Sequence, residues 1–237
     1  STQTIMSATG KSIDEVSASL EKLNWFSDET SYSLTDMTSN VAKFTSAGVD
    51  LEDAVKAMQG ISTEAALSGQ NAQSASRAMY NFSQALGAGA VKLIDWKSIE
   101  NANMATKEFK QTIIDTAKEL GVLEENGLIK GTDKIVTFEN FSSTLEKGWF
   151  NSDVLMGSLN KYGAFASELQ DVTEKTGLTA TEMLQYIRQY QEGTIDLASA
   201  ADYSEVSIEE FSEVLKNLSR EENSLGMKAF LAAQEAK

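Results

Sequence analysis

Apolar positions along the chain recur at three and four residues, the spacing that gathers them on one face of an α-helix. Ile13, Val16, Leu20 and Leu23 open the pattern, with Ser12 before them and Glu15 three residues later, the arrangement of a capping box. Leu34, Met37, Val41 and Phe44 repeat it, and Gly48 is placed to end that helix. Asp50 can cap the next, which presents Leu51, Val55 and Met58. Gly60 and Gly69 bracket a short helical segment, Ile61 to Ser68. An alanine-rich helix is predicted from Ala72 to Leu86, followed by a break at Gly87 to Gly89. A long helix is predicted from Lys97 to Leu120, with Gly121 as its C-cap.

The texture changes over residues 122–136. Leu128 to Lys130, the turn residues Gly131, Thr132 and Asp133, and the arm Lys134 to Val136 predict a small β-hairpin near residues 128–136. Helical spacing then resumes with Phe138, Phe141 and Leu145, breaks at Gly148 to Asn151, and restarts at Val154, Leu155 and Leu159. Two more capping boxes, Thr179 with Glu182 and Ser207 with Glu210, precede apolar helical runs, and a last helix is predicted over Glu221 to Lys237. The expected fold is mainly α, a multi-helix extended bundle with that one hairpin. No proline or Ser/Gly linker divides the chain, so residues 1–237 read as one helical segment with a soft sub-boundary at 122–136.

Composition supports the helical reading. The 237 residues include no proline, which helix interiors reject for want of an N–H and for steric clash. Cysteine and histidine are absent too, so disulfides, thiol chemistry, a zinc enzyme and a histidine-dependent triad are excluded within the segment. No apolar stretch is long enough for a membrane span, and Ser1 to Gly10 have none of the character of a secretory leader. The net charge is −15, and the second half is the more acidic. No basic run offsets that field, so direct binding to nucleic acid or to an anionic membrane is not expected.

Candidate chemistry is sparse. Glu124 with Glu125, and Glu209 with Glu210, are the obvious carboxylate pairs, but neighbours on a helix diverge by about 100 degrees and read as solvated surface. Ser158 with Lys161 and the triplet Lys175, Thr176, Gly177 match fragments of a penicillin-binding site without its third element or its strand. Asn81, Asn140 and Asn217 begin glycosylation triplets that fall in predicted helices. No phosphate-binding glycine motif is present, and no cofactor or metal is expected. The three tryptophans, Trp25, Trp96 and Trp149, each sit where the pattern changes. Two junctions carry aromatic pairs, and Trp25, Phe26, Trp149 and Phe150 are the candidate protein-docking residues if their rings are exposed.

Longer stretches are recognisable as an ordered series. The runs Thr9 to Ser17, Leu20 to Met37 (with Leu-Asn-Trp-Phe-Ser at its centre), Val41 to Leu51, Ala72 to Gly87, Leu93 to Ala102, Thr106 to Thr112 and Phe138 to Trp149 resemble the tape measure domain of long-tailed bacteriophages. The resemblance covers roughly residues 5–165 closely and the remainder more loosely. It implies a structural protein of the phage tail that contributes to tail length determination and to tip and tube assembly. The partners it implies are the tail tip or baseplate, the tail tube protein and the tail assembly chaperones. The implied location is the interior of the tail tube in the virion, and the host cytoplasm during assembly. A phage-tail-like bacteriocin would carry nearly the same sequence. No catalytic set comes with the resemblance, so the segment is not expected to be an enzyme. The rival readings are a peptidoglycan-degrading enzyme using buried carboxylates and a general acidic helical adaptor. At about 1.5 Å per helical residue the chain would span at most about 355 Å, short for a ruler, so it reads as one segment of a longer chain.

Overall fold

A computed structural model describes residues 1–29 and 32–235. Among these residues the chain forms fourteen α-helices and one short 3-10 turn, and no strand. The helices divide into two compact units, Ser1–Gly163 and Ala164–Lys237, and the division falls inside one helix, Ser152–Thr176 (α10).

The first unit begins with Thr2–Thr9 (α1), Ile13–Glu21 (α2), Asn24–Glu29 (α3), Leu34–Ser46 (α4), Leu51–Leu67 (α5) and Ala72–Ala88 (α6). It continues with Leu93–Asn101 (α7), Lys107–Glu119 (α8) and Phe141–Thr144 (α9), and ends on the first turns of α10. Helix starts follow the caps that the sequence supplies. Ser12 N donates to Glu15 Oε2 at 2.8 Å while Glu15 N donates to Ser12 Oγ at 3.2 Å, closing the predicted box at α2. Within this unit α4 packs against α1, α5 and α6, α2 packs against α5, and α6 packs against α7. The buried face of α4 carries Met37, Val41 and Phe44, and that of α5 carries Val55, Met58 and Ile61.

Several predicted boundaries move. Gly60 does not interrupt a helix: α5 runs unbroken from Leu51 to Leu67. A Cβ at Gly60 would collide with the Leu159 carbonyl oxygen of α10, and one at Gly163 would collide with the Lys56 carbonyl oxygen of α5. The two glycines let the backbones of α5 and α10 touch, so Gly60 serves packing and not termination. Gly87 lies within α6, and Gly89, at φ 85°, is the residue that ends it. The long helix predicted from Lys97 to Leu120 is two helices, α7 and α8, separated by residues 102–106. Asn103 closes α7 in the left-handed region at φ 55°, and the Thr106 hydroxyl accepts from Phe109 N at 3.1 Å to start α8.

The predicted hairpin near residues 128–136 is not formed. That segment makes only isolated antiparallel bridges, Leu123 with Ile129 and Leu128 with Ile135. Gly127 and Gly131 both adopt positive φ, so the chain reverses twice within five residues. Neither arm is left long enough for a ladder of hydrogen bonds. Ile129 and Val136 are buried and pin the loop, while Ile135 stays exposed.

The second unit contains the end of α10 with Ala180–Gln191 (α11), Leu197–Tyr203 (α12), Ile208–Leu218 (α13) and Glu221–Glu235 (α14). The last predicted helix is thus described to residue 235, and residues 236 and 237 lie outside the described residues. Both further capping boxes form, Thr179 with Glu182 and Ser207 with Glu210. Its core gathers Phe165, Leu169 and Val172 of α10 with Met183 and Ile187 of α11, Phe211 and Leu218 of α13, and Phe230 of α14. Gly226 leaves room in α14 for the Phe165 ring.

Candidate functional site

Of the four candidate docking residues, three are interior. Phe26 is buried in α3 and meets Trp25 edge-on at 4.7 Å between ring centroids; Trp25 itself is partly exposed. Trp149 and Phe150 are buried and stack on one another at 5.6 Å. They belong to an aromatic cluster that draws on much of the first unit. Trp96 of α7 lies 4.7 Å from Phe141 of α9 and 5.9 Å from Phe150, and Phe141 meets Trp149 edge-on at 5.3 Å. Phe109 of α8 joins Trp96 to Phe82 of α6 and Tyr162 of α10. The Trp149 indole N–H donates to Thr144 Oγ1 at 3.0 Å, so the buried ring has its polar atom satisfied. The break at Gly148 to Asn151 is therefore where the chain turns two large rings inward.

Beside that cluster lies a group the sequence pattern did not single out. Glu64 of α5 is 1% exposed. Thr106, at the start of α8, donates its hydroxyl to Glu64 Oε1 at 2.9 Å. Burial pushes the Glu64 carboxyl up to about 8, against an ordinary value of 4.5; the Thr106 hydroxyl opposes the rise, the Glu108 charge adds to it, and the Tyr162 hydroxyl opposes it. Tyr162 has no hydrogen bond of good geometry at its own hydroxyl, and its phenol is pushed well up by burial and then by Glu64. Tyr32 is raised in the same way, by burial first and by Glu64 second. The centre holds a carboxylic acid that is predominantly neutral at pH 7, able to donate as well as accept a hydrogen bond. One signal for it was legible: Glu64 falls three residues after Ile61 and three before Leu67, on the apolar stripe of α5.

A raised carboxyl is what a general acid needs, but a substrate must also reach it. At 1% exposure Glu64 offers no such surface. The carboxylate pairs noted in the sequence stay apart from this centre: Glu124, Glu125, Glu209 and Glu210 are all exposed. Ser158 is buried with its hydroxyl donated to Val154 O at 2.7 Å, and Lys161 pairs with Glu119 at 2.9 Å, so the two do not act together. Among the described residues no group of three or more acidic side chains is placed to hold a metal ion, and no helix is long and apolar enough to cross a membrane.

Comparison with known proteins gives one match. A family model described as "Tape measure protein" matches residues 1–152, more than half of the chain. No curated protein and no solved structure matches.

Proposed function

The chain belongs to the tape measure protein family, and from that membership we propose that it is a structural component of a phage or phage-like tail. In this reading the segment contributes to tail length determination and to assembly of the tip and tube. It lies inside the tube of the finished particle and in the host cytoplasm while the tail is built. Its partners are the tail tip or baseplate, the tail tube protein and the assembly chaperones. The observation that carries the reading is the family match over residues 1–152. The fold supports it in kind: side chains with chemical potential are spent on packing, with Glu64 and the Trp149 cluster in the interior. The net charge of −15 suits a component that shares a tube with DNA and does not adhere to it.

Docking to tail proteins then falls to the surface of the helices. Among the aromatic junctions Trp25 is the ring with surface to offer, and it rests on buried Phe26, which fixes it from behind. Deleting residues 1–152 in frame from the encoding gene tests the proposal. Particles without tails, or with shortened tails under the electron microscope, are the expected result. Tails of normal number and length would overturn it.

A further inference from the structure

The first turn of α7 presents bare apolar surface. Ile94 is 76% exposed, and Leu93 beside it is exposed too. Lys97 follows them at four and three residues and so shares their face, and Lys92 precedes them. Both lysines are exposed, and among the described residues neither is in an ion pair. The one acid within this stretch, Asp95, is buried and accepts from Lys92 N at 3.1 Å. The helix is fixed from behind, because Trp96 is buried in the aromatic cluster against Phe141 and Phe150. Gly87, Ala88 and Gly89, just before it, raise no side chain larger than a methyl. The first unit thus carries a firm apolar knob flanked by two cations.

A surface of opposite charge lies in the second unit. Tyr203 ends α12 and Ile208 begins α13, and both side chains are about half exposed. The Tyr186 ring of α11 backs that of Tyr203 at 5.8 Å between centroids. Asp202, Glu205 and Glu209, next to these positions in the chain, are exposed, and among the described residues none of the three is in an ion pair. The charge there has one sign: residues 189–215 hold seven carboxylates and no lysine or arginine.

We propose that the chain associates with a second copy of itself head to tail, the Leu93–Ile94 surface of one copy seating on the Tyr203–Ile208 surface of the next. Charge decides the pairing. Two copies meeting through the same surface would gather Lys92 and Lys97 with their own equivalents, or Asp202, Glu205 and Glu209 with theirs. Unlike surfaces bring cations to carboxylates and bury apolar side chains from both copies. The apolar side chains supply the affinity, and the charges at the rim supply the orientation. Such a contact leaves one surface of each kind free at the ends, so association continues past the dimer. Patches this small fall short of the roughly 1,200–2,000 Å² of a standard interface, and the contact is weak. The inference does not depend on the tail-assembly reading, because it rests on the two surfaces alone.

Sedimentation velocity on the 237-residue chain, in a concentration series up to about 0.5 mM, tests it. The average mass should climb above that of the monomer as concentration rises, and should fall back as salt is raised. Ile94→Asp and Ile208→Ser should each weaken association at least about tenfold, with unchanged melting because both side chains are exposed. Mixing the two variants is the decisive arm. Each retains the surface the other has lost, so the mixture should form one-to-one dimers and nothing larger. A wild-type chain that stays monomeric throughout, a variant that associates like the wild type, or a mixture that stays monomeric where the wild type associates would each overturn the proposal.

Discussion

The Thr106 hydroxyl donates to Glu64 at 2.9 Å and at the same time accepts from Phe109 N at 3.1 Å. One hydroxyl therefore both starts α8 and holds the buried acid of α5. The arrangement makes stability depend on pH in a defined direction. Below about 4.5 both folded and unfolded chains keep the Glu64 proton. Between 4.5 and about 8 the unfolded chain gives it up first, so stability falls as pH rises. Above about 8 the folded form ionises as well and the loss levels off. Glu64→Gln keeps an acceptor for Thr106 and removes the titration. Urea unfolding of both chains should show similar stability near pH 4.5, with the variant ahead by roughly 2–5 kcal/mol at pH 8 to 9. Other carboxylates titrate alike in the two chains and cancel in the difference. A difference that stays constant with pH would mean that Glu64 is ionised in the folded chain.

The crossing of α5 and α10 gives a second expectation. A methyl at Gly60 or Gly163 meets a backbone carbonyl, which cannot rotate away. Gly60→Ala and Gly163→Ala should each cost about 1–3 kcal/mol. Gly87, inside α6 with open space around it, should behave oppositely, and Gly87→Ala should gain about 0.5–1 kcal/mol. Urea midpoints for the three variants decide the matter, and a harmless Gly60→Ala would show that the helices can separate freely.

These glycines also show what could and could not be read from the chain. Periodicity found the helical faces, and Ser12, Thr179 and Ser207 marked three starts, because those signals are local and each cap closes within its own turn. A glycine, by contrast, reads alike whether it ends a helix or lets another backbone approach. Gly89 does the first and Gly60 the second, and only the position of Leu159 separates them. The α7–α8 break was hidden for the reverse reason, since it is closed by Asn103 and not by a glycine. In the loop at residues 122–136 Ile129 and Val136 are buried and Ile135 is not, and burial is a tertiary fact. Glu64 escaped notice because an acid on an apolar stripe is ordinarily at its edge; here Thr106 arrives from another helix to cover it.

The aromatic candidates separate by burial. Trp149→Ala removes a ring that touches Phe141 and Phe150 and leaves the Thr144 hydroxyl without its indole donor. A loss of about 3–5 kcal/mol is expected in urea unfolding. Trp25→Ala, at a partly exposed site, should cost no more than about 1–2 kcal/mol, yet reduce incorporation of the chain into tail particles. Quantitative blotting of purified particles reads the second effect. Normal incorporation of Trp25→Ala would remove this residue from the docking surface.

Glu205 gives the last expectation. It closes α12 in the left-handed region at φ 57°, with its own N–H donating to Asp202 O at 3.0 Å and the Val206 N–H donating to Ala201 O at 3.1 Å. That pair of bonds is a Schellman stop, whose turning residue is most often glycine because a Cβ is crowded there. Asn103 does the same work for α7, with bonds to Glu100 O at 2.9 Å and from Met104 N to Ile99 O at 3.1 Å. Asparagine tolerates this conformation better than glutamate does. The Glu205 side chain is exposed, so its removal sacrifices little packing. Glu205→Gly should therefore gain about 1 kcal/mol, Asn103→Gly less, and Glu205→Val should lose stability because a β-branched side chain is the worst fit to positive φ. The order glycine, glutamate, valine in urea midpoint is the signature of backbone strain. A Glu205→Gly chain that unfolds at lower urea than the wild type would show instead that unfolded-state entropy outweighs the strain at this turn.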